Sequence, residues 1–324
     1  MYIEILLIIL GFVLLIKGAD FLVDGASSIA KKLRIPEIVI GLTIVSIGTS
    51  MPELFVSTTS ALNGSSDMSI GNIIGSNICN LLLILGLSAV ISPVKFQKTT
   101  RNIEIPMCFG ITVIFMILAN IGKDVSLVDA IILLVLFVGF IGYTLYIAKK
   151  GLSEAPVEVP KEEPKQEDVK PKKENSVFKN IVLIVLGIVG LKFGGDLTVD
   201  NSVVIAETIG ISEKVIGLTI LAIGTSLPEL VTSVMAAIKG NDDIAIGNII
   251  GSNIFNMLMI IGVSAAITPL DYNISYNLQL YILLFAVALL ELFAFMKPRD
   301  KMTRSCGIIY VCLYALYMVL LFVI

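Results

Sequence analysis

Part of this chain is written twice, and that constrains its fold more than anything else in it. Residues 41–93 begin GLTIVSIGTSMPEL, continue through GNIIGSNICN and end ISP; residues 217–269 begin GLTILAIGTSLPEL, continue through GNIIGSNIFN and end ITP. The two segments align without a gap at an offset of 176, with 32 of 53 positions identical. Upstream the match thins, but Gly18, Asp20 and Asp24 still correspond to Gly194, Asp196 and Asp200. The strongest identity is in polar residues, which a duplication kept for packing alone does not explain.

Both copies lie within a series of apolar runs, each of about 20 residues and so long enough to cross a bilayer as a helix. Of the 324 residues 56% are hydrophobic and 15% charged, whereas soluble domains carry about 25% charge. A net charge of -3 offers no basic footprint for nucleic acid. The chain has no histidine, which removes histidine-ligated zinc, Ser-His-Asp catalysis and histidine proton relays. Cys79, Cys108, Cys306 and Cys312 are scattered through apolar runs without a CxxC, and read as small buried apolar side chains. Met1–Glu4 lack a basic region, and the apolar run that follows is too long for a cleavable signal, so it reads as a first span.

Ten helices are expected, at 2–30, 38–62, 70–92, 104–121, 125–149, 177–206, 213–238, 246–268, 278–296 and 303–323. The fold class is therefore all-α integral membrane. Residues 151–176, rich in Glu, Lys and Pro, cannot bury a core and read as a disordered linker. Residues 1–150 and 177–324 form a five-helix repeat each. An odd number of spans per repeat makes the second copy enter the membrane from the other side. That inverted topology is the architecture of many alternating-access transporters. With alternating loops, 19 of the 23 Lys and Arg fall on the linker side, among them Lys31, Lys95, Arg101, Lys239 and Arg304; Lys123 and Lys214 fall on the other. The positive-inside rule then makes the linker cytoplasmic and both termini external.

Glu53 and Glu229 are ionisable, deep in apolar spans and paired by the repeat. A carboxylate near the bilayer centre costs several kcal/mol unless it meets a partner or a wet cavity. No Lys or Arg is near either in sequence, so two facing carboxylates would repel unless one takes a proton or both hold a cation. Their neighbours are rich in oxygen: Thr49, Ser50, Ser76 and Asn80 in the first copy, Thr225, Ser226, Ser252 and Asn256 in the second. Thr49 and Ser50 share a helix face with Glu53 by their spacing. Pro52 and Pro228 kink their helices, freeing the Gly48 and Gly224 carbonyls and straining those of Thr49 and Thr225. Such a set, without nitrogen or sulfur, suits Ca²⁺ or Na⁺. Gly71, Gly75, Gly247 and Gly251 read as close-packing residues. Asn72, Asn77, Asn248 and Asn253 read as hydrogen bonders between helices. Asp20, Asp24, Asp196 and Asp200 read as terminal or gating groups, and Lys17 as snorkelling or pairing with a nearby aspartate.

With GTSMPE at Gly48–Glu53 and GTSLPE at Gly224–Glu229, each followed by GNIIGSN, the chain resembles the sodium/calcium exchanger family of the calcium/cation antiporters. The resemblance implies ten helices and four cation sites in a central diamond between the second, third, seventh and eighth. It implies a Ca²⁺ site of the Glu53 and Glu229 side chains with the Thr49 and Thr225 carbonyls. It implies one Na⁺ site from Ser50, Ser76, Glu229 and the Ser46 carbonyl, and another from Ser226, Ser252, Glu53 and the Ala222 carbonyl. It further implies that the first and sixth helices slide over the core to switch access. Many members carry an aspartate at one of the positions of Asn80 and Asn256; asparagine at both limits these helices to two negative charges. The large calcium-sensing insert of animal exchangers is absent.

Two carboxylates neutralise one Ca²⁺ or two Na⁺, so the ions compete. A site emptied of cations leaves both charges in a low dielectric, which disfavours crossing without cargo. The expectation is Na⁺/Ca²⁺ antiport by alternating access. The alternatives of the same fold are H⁺/Ca²⁺ and K⁺-dependent Na⁺/Ca²⁺ exchange. An intramembrane enzyme with paired carboxylates lacks a nucleophile, and its acid and base would be undifferentiated. No cofactor, nucleic acid or obligate protein partner is expected. The partners are Ca²⁺, Na⁺ and the lipid bilayer, and the setting is the cell membrane.

Overall fold

The computed structural model describes residues 2–154, 177–209 and 222–323. Its elements are α1 (Tyr2–Leu33), α2 (Glu37–Thr49), α3 (Met51–Leu62), α4 (Ser66–Ile91), α5 (Thr100–Gly122), α6 (Leu127–Glu154), α7 (Val177–Thr208), α8 (Ala222–Thr225), α9 (Leu227–Ile238), α10 (Asp242–Ile267), α11 (Tyr276–Phe295) and α12 (Arg304–Val323). Eight helices are each long and apolar enough to cross a membrane, and the bent pair α2–α3 makes nine among the described residues. The expected seventh span, 213–238, is represented by α8 and α9; its first part lies in 210–221, outside the described residues. Most of the expected linker, 155–176, also lies outside them. Helix α6 runs to Glu154, past the boundary set at 150 by composition.

Burial separates the repeated helices from the rest. In the most apolar stretch of α10 94% of residues are buried, and in that of α4 78%, against 22% in α6 and α12. The two GNIIGSN helices are thus the protein's centre, and the others turn apolar faces such as Val135, Val138 and Leu316 to lipid. Small residues permit this close packing. A Cβ on Gly247 would come 3.0 Å from Gly41 Cα, and one on Gly251 2.8 Å from Leu42 Cα.

Two short antiparallel ladders close the bundle at opposite faces. Val94–Lys95 (β1) pairs with Lys301–Met302 (β4), and Asp124–Val125 (β2) pairs with Leu270–Asp271 (β3). Each ladder joins a loop of one half to a loop of the other, and the repeat relates them. The β1–β4 face carries Lys31, Lys239 and Arg101 and is called the basic face below.

Helices α1 and α7 stand apart as an antiparallel pair in backbone contact. Glycines seven residues apart make the seam. A Cβ on Gly11, Gly18 or Gly25 would lie 2.8 Å from the carbonyl oxygen of Gly194, Gly187 or Asn180 respectively. Both helices remain largely exposed, 28% buried over their apolar windows.

Candidate cation site at the pseudo-twofold axis

The prolines do more than kink a helix. The chain breaks at Ser50 (φ −84°, ψ 10°) and α2 and α3 meet at 50°. Pro52 is then in the first turn of a new helix, where its missing N–H costs nothing. Glu53 falls in that same first turn, beside the positive end of the helix dipole. The second copy repeats this at Ser226 (φ −89°, ψ 6°), Pro228 and Glu229 in α9. So both glutamates head half-helices of opposite direction, in place of the continuous kinked helix expected.

The halves exchange contacts. Ser50 Oγ donates to Glu229 Oε1 at 2.8 Å and lies 2.9 Å from Ser252 Oγ. In mirror fashion Ser226 Oγ donates to Glu53 Oε1 at 3.3 Å. Glu53, Glu229, Ser50, Ser226, Ser76 and Ser252 are all buried. Among the described residues no Lys or Arg pairs with either glutamate.

Behind the glutamates four asparagines lock α4 to α10. Asn77 Nδ2 donates to the Asn253 carbonyl at 3.1 Å, and Asn253 Nδ2 to the Asn77 carbonyl at 3.4 Å. Asn80 Nδ2 donates to Asn253 Oδ1 at 3.2 Å, and Asn256 Nδ2 to Asn77 Oδ1 at 2.9 Å. Asn80 and Asn256 sit in π-helical turns, Cys79–Leu85 and Asn256–Ile260, a distortion frequent at functional sites. Because this network uses their donors, their acceptors are left over. Asn72 and Asn248 brace the half-helices, donating to Ser57 Oγ at 3.0 Å and Ser233 Oγ at 2.9 Å. The four asparagines expected to bond between helices do so.

What remains at the centre is a surplus of acceptors. Glu53 Oε2, Glu229 Oε2, Asn80 Oδ1, Asn256 Oδ1 and Thr225 Oγ1 are buried without a hydrogen-bond partner among the described residues. Each unpaired acceptor costs about 1–3 kcal/mol, and an ionised one more. Hard cations bound beside them offset that cost. Among the described residues no group of three or more His, Cys, Asp or Glu could hold a metal ion, so any such site rests on hydroxyl, amide and carbonyl oxygens beside the two carboxylates. Thr49 Oγ1 donates to Asn248 Oδ1 at 3.0 Å. The Ser46 carbonyl accepts the Ser50 N–H at 3.0 Å and lies 3.3 Å from Thr49 Oγ1. Ala222 opens the short helix α8, on the Thr225 side.

Access is uneven. A cavity of about 170 Å³ beside Thr225 is lined by Lys192, Asp196 and Asp200 of α7, by Gly224 and Pro228, and by Pro52, Phe55 and Val56 of α3. A larger crevice of about 490 Å³ beside Thr49 is walled by Met51, Phe55, Ile188 and Phe193; its rim residues Phe55 and Phe193 are exposed, so it opens toward acyl chains. On the basic face Asp20 and Asp24 both pair with Lys239. Of the two readings of Lys17, its exposure on α1 fits snorkelling, and Lys239 takes the place of a pairing partner for these aspartates. Cys79 and Cys108 are buried as expected, but Cys306 is half-buried and Cys312 exposed on α12.

A family model described as sodium/calcium exchanger protein matches residues 3–146 and 179–323. The chain belongs to the sodium/calcium exchanger family. It is 32% identical to the sodium/calcium exchanger MaX1 of Methanosarcina acetivorans over 349 aligned positions, covering 99% of each chain. It is 40% identical to the putative antiporter CaxA of Alkalimonas amylolytica over 270, covering 83% of this chain and 82% of that one. Among solved structures, the sodium-calcium exchanger NCX_Mj soaked with Na⁺ and Ca²⁺ superposes with a TM-score of 0.82 at 33% identity, over 98% of both chains. This exchanger-family chain is thus a membrane protein whose glutamate-bearing half-helices meet at its centre.

The sequence reading missed two features. The glycine seam of α1 and α7 was visible as a spacing of seven at Gly11, Gly18 and Gly25. The pairing of Lys239 with α1 gave no signal, because its partners lie more than 200 residues away.

Proposed function

We propose that the chain is a Na⁺/Ca²⁺ antiporter working by alternating access. The observation that carries this is the pair of buried carboxylates without a basic partner, surrounded by unpartnered oxygens. Ca²⁺ binds the Glu53 and Glu229 side chains with the Thr49 and Thr225 carbonyls. Na⁺ uses the same glutamates with Ser50 and Ser76 on one side and Ser226 and Ser252 on the other. The Ser46 and Ala222 carbonyls complete those two sets, and Asn80 and Asn256 add amide oxygens. Because the ions share carboxylate oxygens, loading one expels the other.

No covalent step belongs to this cycle, so the chain is no enzyme, and no cofactor or protein partner enters it. The halves 1–150 and 177–324 are the inverted repeats. The 151–176 linker joins them on the cytoplasmic side, which is the basic face, and both termini are external. Helices α1 and α7 move as a unit, since their glycine seam ties them to each other more closely than to the core.

The test is ⁴⁵Ca²⁺ uptake into proteoliposomes under separate outward Na⁺, K⁺ and H⁺ gradients. Uptake driven by Na⁺ alone is expected. Uptake driven by the pH gradient in Na⁺-free buffer would replace this reading with H⁺/Ca²⁺ exchange, and a requirement for K⁺ would make the exchange K⁺-dependent.

A further inference from the structure

Helix α9 has functional groups at both ends. Glu229 heads its first turn, and Lys239 caps its last. The Lys239 ammonium contacts Asp24 Oδ1 at 2.8 Å, the Asp20 carboxylate, and the Asp20 backbone carbonyl at 3.2 Å. Both aspartates are on α1. One half-buried cation therefore ties the peripheral α1–α7 pair to the helix that carries an ion-site carboxylate.

The internal repeat supplies a built-in control. Asp196 and Asp200 on α7 are the mirror images of Asp20 and Asp24, and Asn63, capping α3 after Glu53, is the mirror image of Lys239. No charge at Asn63 can reach Asp196 and Asp200. Asp196 pairs instead within its own helix, with Lys192 at 2.9 Å, and both aspartates line the cavity beside Thr225. Among the described residues the lysine ties α1 to α9 on the basic face, and its mirror asparagine makes no such tie to the aspartates that line the cavity at Thr225.

We propose that Lys239 is a positioning residue that latches α1 to α9 and holds the site open toward the face opposite the basic one. This rests on the alternating-access reading above. Sliding of α1 past α9 to expose the site to the basic face must first break the Lys239 contacts. Among the described residues no corresponding contact from Asn63 opposes the return. The conformational equilibrium is therefore biased by one residue, and the apparent affinity on each face scales with the fraction of molecules open to it.

The experiment uses the full chain in right-side-out and inside-out membrane vesicles, and reads Ca²⁺ half-saturation on each face. Lys239→Asn, which copies the mirror residue, is expected to change the ratio of the two half-saturation values by threefold or more. Affinity should rise on the basic face and fall on the other, with Na⁺-driven flux retained. Lys239→Arg should stay near the wild-type ratio. Adding Asn63→Lys to Lys239→Asn should place a lysine opposite Asp196 and Asp200 and push the ratio further the same way. If Lys239→Asn folds poorly, the pair Asp20→Asn and Asp24→Asn removes the other side of the latch and must shift the ratio in the same direction. A ratio unchanged in these variants, whether flux is normal or falls equally on both faces, overturns the latch and leaves antiport standing. Absence of Na⁺-driven Ca²⁺ uptake in the wild type would instead overturn the antiport reading on which the latch rests.

Discussion

Asn77 and Asn253 each donate to the other's carbonyl, and Asn80 and Asn256 each donate to the other half's central asparagine. Away from this axis the same repeat diverges. Arg101 pairs with Asp300 on the basic face, while its mirror residue Asn277 bonds Asn120 on the other. Lys239 grips two aspartates while Asn63 is exposed. The difference follows from what each region must do. An ion site approached from both faces in turn has to present the same oxygens either way, and a twofold arrangement of identical residues does so. The Arg101 and Asn277 clamps each sit at one face only, so the symmetry of the ion site does not require them to match.

Symmetry at the centre can be broken most severely at the carboxylates. Glu53→Gln and Glu229→Gln each remove one of two negative charges from a buried site without a basic partner. Each should lower Na⁺-driven ⁴⁵Ca²⁺ flux by roughly 100-fold or more, about 2.7 kcal/mol of lost ion binding. The comparison demands nearly equal losses. A variant that kept near-normal flux while its mirror lost it would show that the two copies do not share the ion.

The next effect concerns the seam. A Cβ at Gly18 would lie 2.7 Å from Leu191 N, and one at Gly187 2.7 Å from Leu22 N, and neither backbone can yield without separating the helices. Gly18→Val and Gly187→Val should each reduce flux about 10-fold while Ca²⁺ binding measured by calorimetry changes little, since overpacking costs about 1–3 kcal/mol locally and the site lies in the core. Loss of binding along with flux would mean that α1 and α7 are part of the site's frame, not a unit that moves over it.

Smaller still is the asparagine network. Asn77→Ala leaves Asn256 Nδ2 without an acceptor, and Asn253→Ala does the same to Asn80. Each should weaken Ca²⁺ binding by roughly 5- to 10-fold, in line with about 1–1.4 kcal/mol for one buried polar group left unpaired. Equal effects from the two variants would sharpen the central symmetry, and a marked inequality would assign the ion chiefly to one half.

The contrast between centre and faces also explains what the sequence disclosed. Duplication exposed Glu53 and Glu229, because identity at a fixed offset is one-dimensional information. The asparagines were readable as partners between helices for the same reason. The broken helix was only half legible: Pro52 marked a distortion, but whether a proline kinks a helix or begins a new one depends on the conformation of Ser50. Lys239 was read only as a charge on one side of the membrane, because a cation's partners are set by how α1 docks on α9 and not by its neighbours in the chain. Asymmetric features leave no echo at the offset of 176 and have to be found in space.

The faces themselves give the finest test. Arg101 holds Asp300 and stacks 4.7 Å above the Phe295 ring. Asn277 exchanges two 2.9 Å amide bonds with Asn120 and accepts the Tyr272 hydroxyl at 2.7 Å. Both clamps should contribute about 1 kcal/mol, so Arg101→Ala and Asn277→Ala should each lower the thermal unfolding midpoint in detergent by a few degrees. Salt separates them. Raising choline chloride, which leaves Na⁺ out of the comparison, screens the charged clamp and should narrow the gap between wild type and Arg101→Ala. The Asn277→Ala gap should hold, because its amide bonds carry no net charge to screen. If both gaps narrow alike, the two faces close by the same physics, and the asymmetry between them reduces to Lys239.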